Sequence, residues 1–396
     1  MATKKGVWNL QQVRDKQLQD LWSYASTGML FVWGYNDYGE LGHNNRTDYS
    51  SPTQISGSWS RYASGGHISL MVNTSGELYA AGRNEYGALG QNSVTTPSNT
   101  GISSPVQIPG TTWASVTTVG QYQGAFATKT NGTLWAWGRN SQTESKGVLG
   151  QNNLTDYSSP VQLGSDTTWS TSSNHLATTG NGSVHAIKTD GTYWCWGYAS
   201  AGQLGQGEAG TYYSSPVQIP GTTWAYVGTK GPNGGGGAIK TDGTLWMWGY
   251  NADGQLAQNN KTNYSSPRQV PGTTWSTINT GFRPSIATKT DGTLWTWGNN
   301  QHGVLGHNES SPVYRSSPTQ VGSGTDWSHG IASAYACFAT KTDGTMYAWG
   351  YNPSGQLGLN DRASRSSPTQ VPGDWDLSKV RLTGAIQGTA ISAISS

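Results

Sequence analysis

The chain is poor in charge, in cysteine and in long apolar runs. Only 11% of its 396 residues are Asp, Glu, Lys or Arg, and they balance to +2. That is too little to hold a polyanion by bulk electrostatics, so no nucleic-acid partner is expected. The two cysteines, Cys195 and Cys337, fall in segments far apart in the chain. They read as free buried thiols, which argues against a disulfide scaffold or a zinc site. The longest apolar run is Met29 to Trp33, far short of a membrane span. The opening MATKKGVWNL has charge but no apolar stretch behind it, so no signal peptide and no membrane insertion are expected. With 4 Phe and 5 Met, the core cannot be built from long flexible side chains.

Gly reaches 55 and Trp 19, a composition suited to many short strands packed through aromatic rings. A Trp-Gly pair recurs at Trp33, Trp137, Trp196, Trp248, Trp297 and Trp349, with Ala81-Gly82 as the variant. The spacing of 48 to 59 residues is that of a solenoid or propeller. Within each unit a strand such as Gly124 to Thr130 meets a tight turn, Asn131-Gly132, and a second strand ends in Trp-Gly. Asn-Gly and Asp-Gly supply the positive φ that such hairpins need. Gly-x-Leu-Gly follows, then Ser-Ser-Pro-x-Gln, then another Trp. Proline lacks an N–H and should begin an outer or edge strand.

The first unit, Gly28 to Gly34, lacks the strand before its turn, while TAISAIS near the C-terminus alternates without reaching Trp-Gly. Each end holds what the other lacks. The expectation is an all-β, seven-bladed β-propeller over residues 26–396, closed by pairing of the N- and C-terminal strands. A short amphipathic helix in residues 1–25 would lie outside the ring, with Leu10, Val13, Leu18, Leu21 and Trp22 on one docking face.

The strand-turn-strand ending in Trp-Gly, the Asn after it (Asn36, Asn84, Asn140, Asn251, Asn300, Asn352), the Gly-x-Leu-Gly and the Pro-x-Gln recur over about residues 28 to 396. In these the chain resembles the regulator of chromosome condensation family. The resemblance implies the propeller fold. It leaves activity open, since members include an exchange factor for the small GTPase Ran, interaction modules and an inhibitor of β-lactamases. The regular, Thr-rich repeat (AIKTDGTLWMWG, Ala238 to Gly249) looks more like phage and bacterial members, and GVWNLQQV resembles leading segments of tailed-phage virion proteins.

No catalytic constellation is visible, and neither a metal site nor a cofactor is expected. His43 and His307 occupy a position where other units carry Gln, and Asp190, Asp242, Asp291 and Asp343 are turn residues spread around a ring. Lys129, Lys188, Lys240, Lys289 and Lys341 share one repeat position and are expected to be balanced by the acid two residues on. The candidate binding residues precede Ser-Ser-Pro: Tyr49, Tyr157, Tyr213, Tyr264, Arg315 and Arg365, with Ile102 in the second unit. Tyr and Arg bring contact area and hydrogen bonds at low entropic cost. The functional expectation is therefore a non-enzymatic virion component. It would meet other virion proteins through residues 1–25 and a host glycan or protein through its rim, and homo-oligomerisation is compatible with it. The alternative is a soluble interaction propeller, acting as a GTPase regulator or enzyme inhibitor.

Overall fold

A computed structural model of the chain describes residues 28–94, 101–120, 123–143, 146–228, 235–309, 313–375, 380–382 and 391–394. One blade shows the plan. Strands Trp113–Thr118, Gly124–Lys129, Leu134–Gly138 and Tyr157–Gln162 form an antiparallel sheet in chain order. Four more four-stranded sheets repeat it, beginning at Leu176, Trp224, Trp275 and Trp327. The first strands of successive sheets lie side by side around the axis. Between the third and fourth strands the register shifts: Gly138 faces Tyr157, whereas Ala136 faces Val161. Ser-Ser-Pro therefore sits within the outermost strand as an irregularity in the pairing, where a residue without an N–H costs no ladder bond.

The expectation of a seven-bladed propeller is corrected to six blades. Five sheets have four strands and a sixth has five. The remaining sheet has three: Leu30–Gly34 pairs with Tyr49–Ile55 on one side and with Ile391–Ile394 from the far end of the chain on the other. The physical reason lies in the segment that precedes Ile391–Ile394. Val380–Leu382 pairs in parallel with Trp59–Gly65 of the neighbouring blade, which thereby gains its fifth strand. The pairing of the two chain ends expected from the half-units is present, with Leu30 opposite Ile394. Among the described residues there is no α-helix, only short 3-10 turns at Ser173–His175 and Gln301–Gly303. The helix expected in residues 1–25, with Leu10, Val13, Leu18, Leu21 and Trp22, lies outside the described residues.

The core is laminated between blades rather than within them. Leu70, Leu78, Leu89 and Ile108 of one sheet pack with Trp113, Val116 and Trp137 of the next. Trp137 is fully buried, and its Nε1 donates to the Ala88 carbonyl of the preceding unit at 2.8 Å. Burying such an indole contributes up to about 5 kcal/mol, at ~25 cal/mol per Å² over roughly 200 Å². The first Gly of each Gly-x-Leu-Gly also needs its missing side chain. Gly87 has φ 77°, and a Cβ there would stand 2.4 Å from the Ser158 Cα of the next outermost strand.

Candidate interaction face

The loops joining first to second strands and third to fourth strands all emerge at one end of the sheets. Their conformation is set by the buried asparagines. Asn36 accepts from the Leu41 N–H at 2.9 Å through Oδ1 and donates through Nδ2 to the Asn45 and Thr47 carbonyls. Asn84, Asn140, Asn251, Asn300 and Asn352 hold Leu89, Leu149, Leu256, Leu305 and Leu357 in the same way. A fully buried amide that staples both ends of a loop gives a rigid platform for the residues beside it.

Two aromatic and cationic clusters stand on this platform. In the first, the His67 ring lies 4.7 Å from Tyr38 and 5.9 Å from Tyr35. Arg83 stacks over Tyr38 at 5.1 Å and pairs with Glu85. In the next blade Arg139 lies 3.9 Å above the Tyr86 ring. His67 follows Gly66 in a two-residue turn with φ 64°, a strained conformation for a residue with a side chain. Glu40 is buried beneath, 3.6 Å from the His67 Nδ1, and accepts from the Tyr38 N–H. Burial, then a hydrogen bond to Asp37, pushes the Tyr35 hydroxyl well above the usual phenol range.

The second cluster gathers Phe282, Arg283, His302, Tyr335 and Tyr351. His302 packs 4.4 Å from Tyr351 and 5.7 Å from Tyr335, and Phe282 meets Tyr335 at 6.0 Å. Arg283 lies over both Phe282 and Tyr335 and within 3.6 Å of Asp253. Burial, then the Arg283 charge, lowers the His302 pKa and keeps the ring neutral at neutral pH. Among the described residues Arg139 has no carboxylate within ion-pair distance, unlike Arg83 and Arg283. Half-buried Tyr, Phe and Arg held on rigid loops are the composition of a protein recognition surface.

The residues singled out before Ser-Ser-Pro lie on this same face, at its outer edge, opposite the glycine of Trp-Gly. They are spread one to a sheet and are not brought together. Asn45, Asn153 and Asn260 donate to the hydroxyls of Tyr49, Tyr157 and Tyr264 at 2.9 Å. Tyr213 reaches Glu208 at 3.5 Å, Arg315 bonds both oxygens of Glu309, and Arg365 pairs with Asp361. Each is thus engaged by its own loop. The sequence reading missed Tyr38, His67, Tyr86, Phe282 and Tyr335. One available signal was the position directly after the Trp-Gly or Ala-Gly pair, which carries a phenol or a guanidinium in six units (Tyr35, Arg83, Arg139, Tyr198, Tyr250 and Tyr351) and Asn299 in the seventh.

At the opposite end of the strands the repeat lysines behave differently from expectation. Lys129 sits 4.6 Å over Trp113 and 4.5 Å over Trp135, and Lys188, Lys240, Lys289 and Lys341 each lie over two rings likewise. Asp190, Asp242, Asp291 and Asp343 instead accept from the N–H and hydroxyl of the Thr two residues on. The ammonium groups are held by aromatic faces, so they do not form a free cationic rim.

Comparison with known proteins places the fold. The model of the Regulator of chromosome condensation (RCC1) repeat matches residues 27–72, 242–281, 291–338 and 343–382. RCC1 domain-containing protein RUG3, mitochondrial, of Arabidopsis thaliana is 32% identical over 257 residues, 62% of this chain and 55% of that protein. The Ultraviolet-B receptor UVR8 of the same plant is 27% identical over 356 residues, 86% and 64%. The chain thus spans between half and two-thirds of the length of these relatives. The crystal structure of human WBSCR16 superposes with a TM-score of 0.76 at 17% identity, over 93% of this chain and 99% of that one. Prp20p from Saccharomyces cerevisiae, described with its binding properties to Gsp1p and histones, gives 0.77 at 19% identity, over 98% and 96%. At these identities the likeness is one of fold.

Proposed function

We propose that this chain, a propeller carrying repeats of the regulator of chromosome condensation family, is a protein-interaction module that acts by binding and not by catalysis. Its partner docks on the face that carries Tyr38, His67, Arg83, Tyr86 and Arg139. The observation that supports this most is Arg139, a guanidinium stacked 3.9 Å over the Tyr86 ring at the edge of this face. Such a group is preorganised to take a carboxylate of a partner. Regulation of a small GTPase is the narrower form of the same reading. The structure of Prp20p, similar in fold, was described with binding to Gsp1p and histones, and yeast RCC1 (Prp20) was crystallised bound to Kap60.

The expectation of a phage-type virion component finds no support among these relatives, which are plant, yeast and human proteins where an organism is given.

The test is site-specific photo-cross-linking in an extract of the source cells. A cross-linking residue at Tyr86 or Tyr351 is expected to capture a discrete partner, whereas one at the turn residues Asp242 or Asp291 is not. Capture only from the turn face would overturn the reading.

A further inference from the structure

Six blades share a pair of rings near the hairpin turn: the Trp that opens the blade and the aromatic in its third strand. In five of them a lysine ammonium lies over both rings, 4.0 to 5.3 Å from each centroid. The sixth, built on Trp59 and Tyr79, has the same edge-to-face pair with centroids 5.5 Å apart. There the lysine position is Asn73, and the position held by Thr in the other five is Glu77.

Asn73 does not fill the vacated space. Its Oδ1 accepts from the Ser75 and Glu77 N–H groups within the turn, and its Nδ2 donates to Glu77 at 2.6 Å. The Glu77 carboxylate also accepts from the Tyr79 hydroxyl at 3.1 Å. The blade has exchanged one positive charge for one negative charge while keeping the two ring faces. A groove of about 710 Å³ opens here between this blade and the closing sheet, against about 410 Å³ for the groove at Trp275, where Lys289 is in place. His43, Gln54, Trp59, Asn73, Ser75 and Tyr79 line it, with no lysine or arginine among its lining residues. His43 is kept neutral by burial, so it adds no opposing charge at neutral pH.

We propose that this groove receives an ammonium group from outside the chain, the ε-ammonium of a lysine on a polypeptide partner, in the place the five other blades fill with their own. The rings supply the cation–π attraction, the Glu77 carboxylate bonded to the lining residues Asn73 and Tyr79 supplies the nearby opposite charge from behind them, and Gln54 and Ser75 offer polar atoms to the flanking backbone. The site is at the other end of the strands from the aromatic–arginine face and does not depend on it.

Indole N–H resonances of the ¹⁵N-Trp-labelled full chain test this, with Trp59 assigned by Trp59→Phe. The probes are acetyl-Gly-Lys-Gly-amide, its norleucine counterpart and n-butylammonium. The lysine peptide is expected to shift Trp59 saturably and the norleucine peptide is not. The double variant Asn73→Lys/Glu77→Thr restores the pattern of the other blades and so keeps the fold, which the unshifted remaining indoles verify. In it, binding is expected to weaken about tenfold or more. Unchanged binding in that variant, or no saturable shift with the lysine peptide, overturns the site. Tighter binding of n-butylammonium than of the peptide overturns the polypeptide source in favour of a free amine.

Discussion

The Trp33 indole donates to the Gln356 carbonyl at 2.9 Å, a buried bond between residues 323 positions apart in the chain. It is the same bond that Trp137 makes to Ala88 and Trp349 makes to Val304 between consecutive units. The last unit therefore treats the first as its next neighbour. Gly355 packs on Ser50 and Asn360 donates to the Ser50 carbonyl, as Gly87 and Asn92 do at Ser158. Closure reuses the inter-blade joint at these positions and adds to it the parallel pairing of Val380–Leu382 with Trp59–Gly65.

If the closing joint matches the interior ones, Trp33→Phe and Trp137→Phe lose the same interaction. Each leaves a buried carbonyl without its donor, at a cost of about 1–3 kcal/mol. Urea unfolding measures both. Similar midpoints are expected for the two variants. A much smaller loss at Trp33 would show that the closing interface is looser than the rest.

The His43 Nε2 is buried with no hydrogen-bond partner. Its counterpart His307 meets the Thr296 hydroxyl, and the residue in register with Thr296 in the first unit is Val32. Val32→Thr is nearly isosteric and supplies the missing group. The variant is expected to be more stable by about 0.5–1 kcal/mol, against a loss of about 1–3 kcal/mol for Val72→Thr, which has no such partner. Destabilisation of both alike would contradict the assignment.

Asp166 links acid stability to one joint. Burial pulls its pKa up, but hydrogen bonds from Lys188 and Thr168 outweigh this and hold it at about 2, below its ordinary 3.8. The folded chain favours the carboxylate, so its contribution is full above the ordinary carboxylate range and fades as pH falls toward the folded value. Wild type should exceed Asp166→Asn in thermal midpoint at neutral pH. The gap should close as pH falls through about 4 to about 2. A gap independent of pH would refute the pairing.

Burial raises the pKa of Cys195 to about 12 and pushes that of Cys337 higher. Both thiols are enclosed and free. Alkylation by iodoacetamide at neutral pH should therefore proceed only through unfolding, and both sites should react at the same rate. Faster reaction at one of them would reveal local opening of its blade.

Much of this architecture is written in the repeat. The hairpin turns, the inward Trp and the pairing of Leu30–Gly34 with Ile391–Ile394 follow from motif spacing and from half-units at the ends. The blade count was not legible, because a three-residue segment, Val380–Leu382, carries no signal for which neighbour it will join. The lysine partners were misjudged for a related reason. Asp242 is close to Lys240 in sequence, yet the hairpin turns its carboxylate onto Thr244 and leaves the ammonium to Trp224 and Trp246. The interaction face was only half visible. Its outer tyrosines and arginines share one repeat position, whereas Tyr38, His67 and Arg83 come from a loop, a turn and a strand end in two sheets and meet only after folding.

Affinity for the partner captured through Tyr86 decides which face of the ring binds. Arg139→Ala and Tyr86→Ala should each weaken binding by about tenfold or more, the scale of a desolvated hot-spot residue. Lys289→Ala, on the opposite end of the strands, should leave it unchanged. Loss of affinity on Lys289→Ala with Arg139→Ala unaffected would contradict the account.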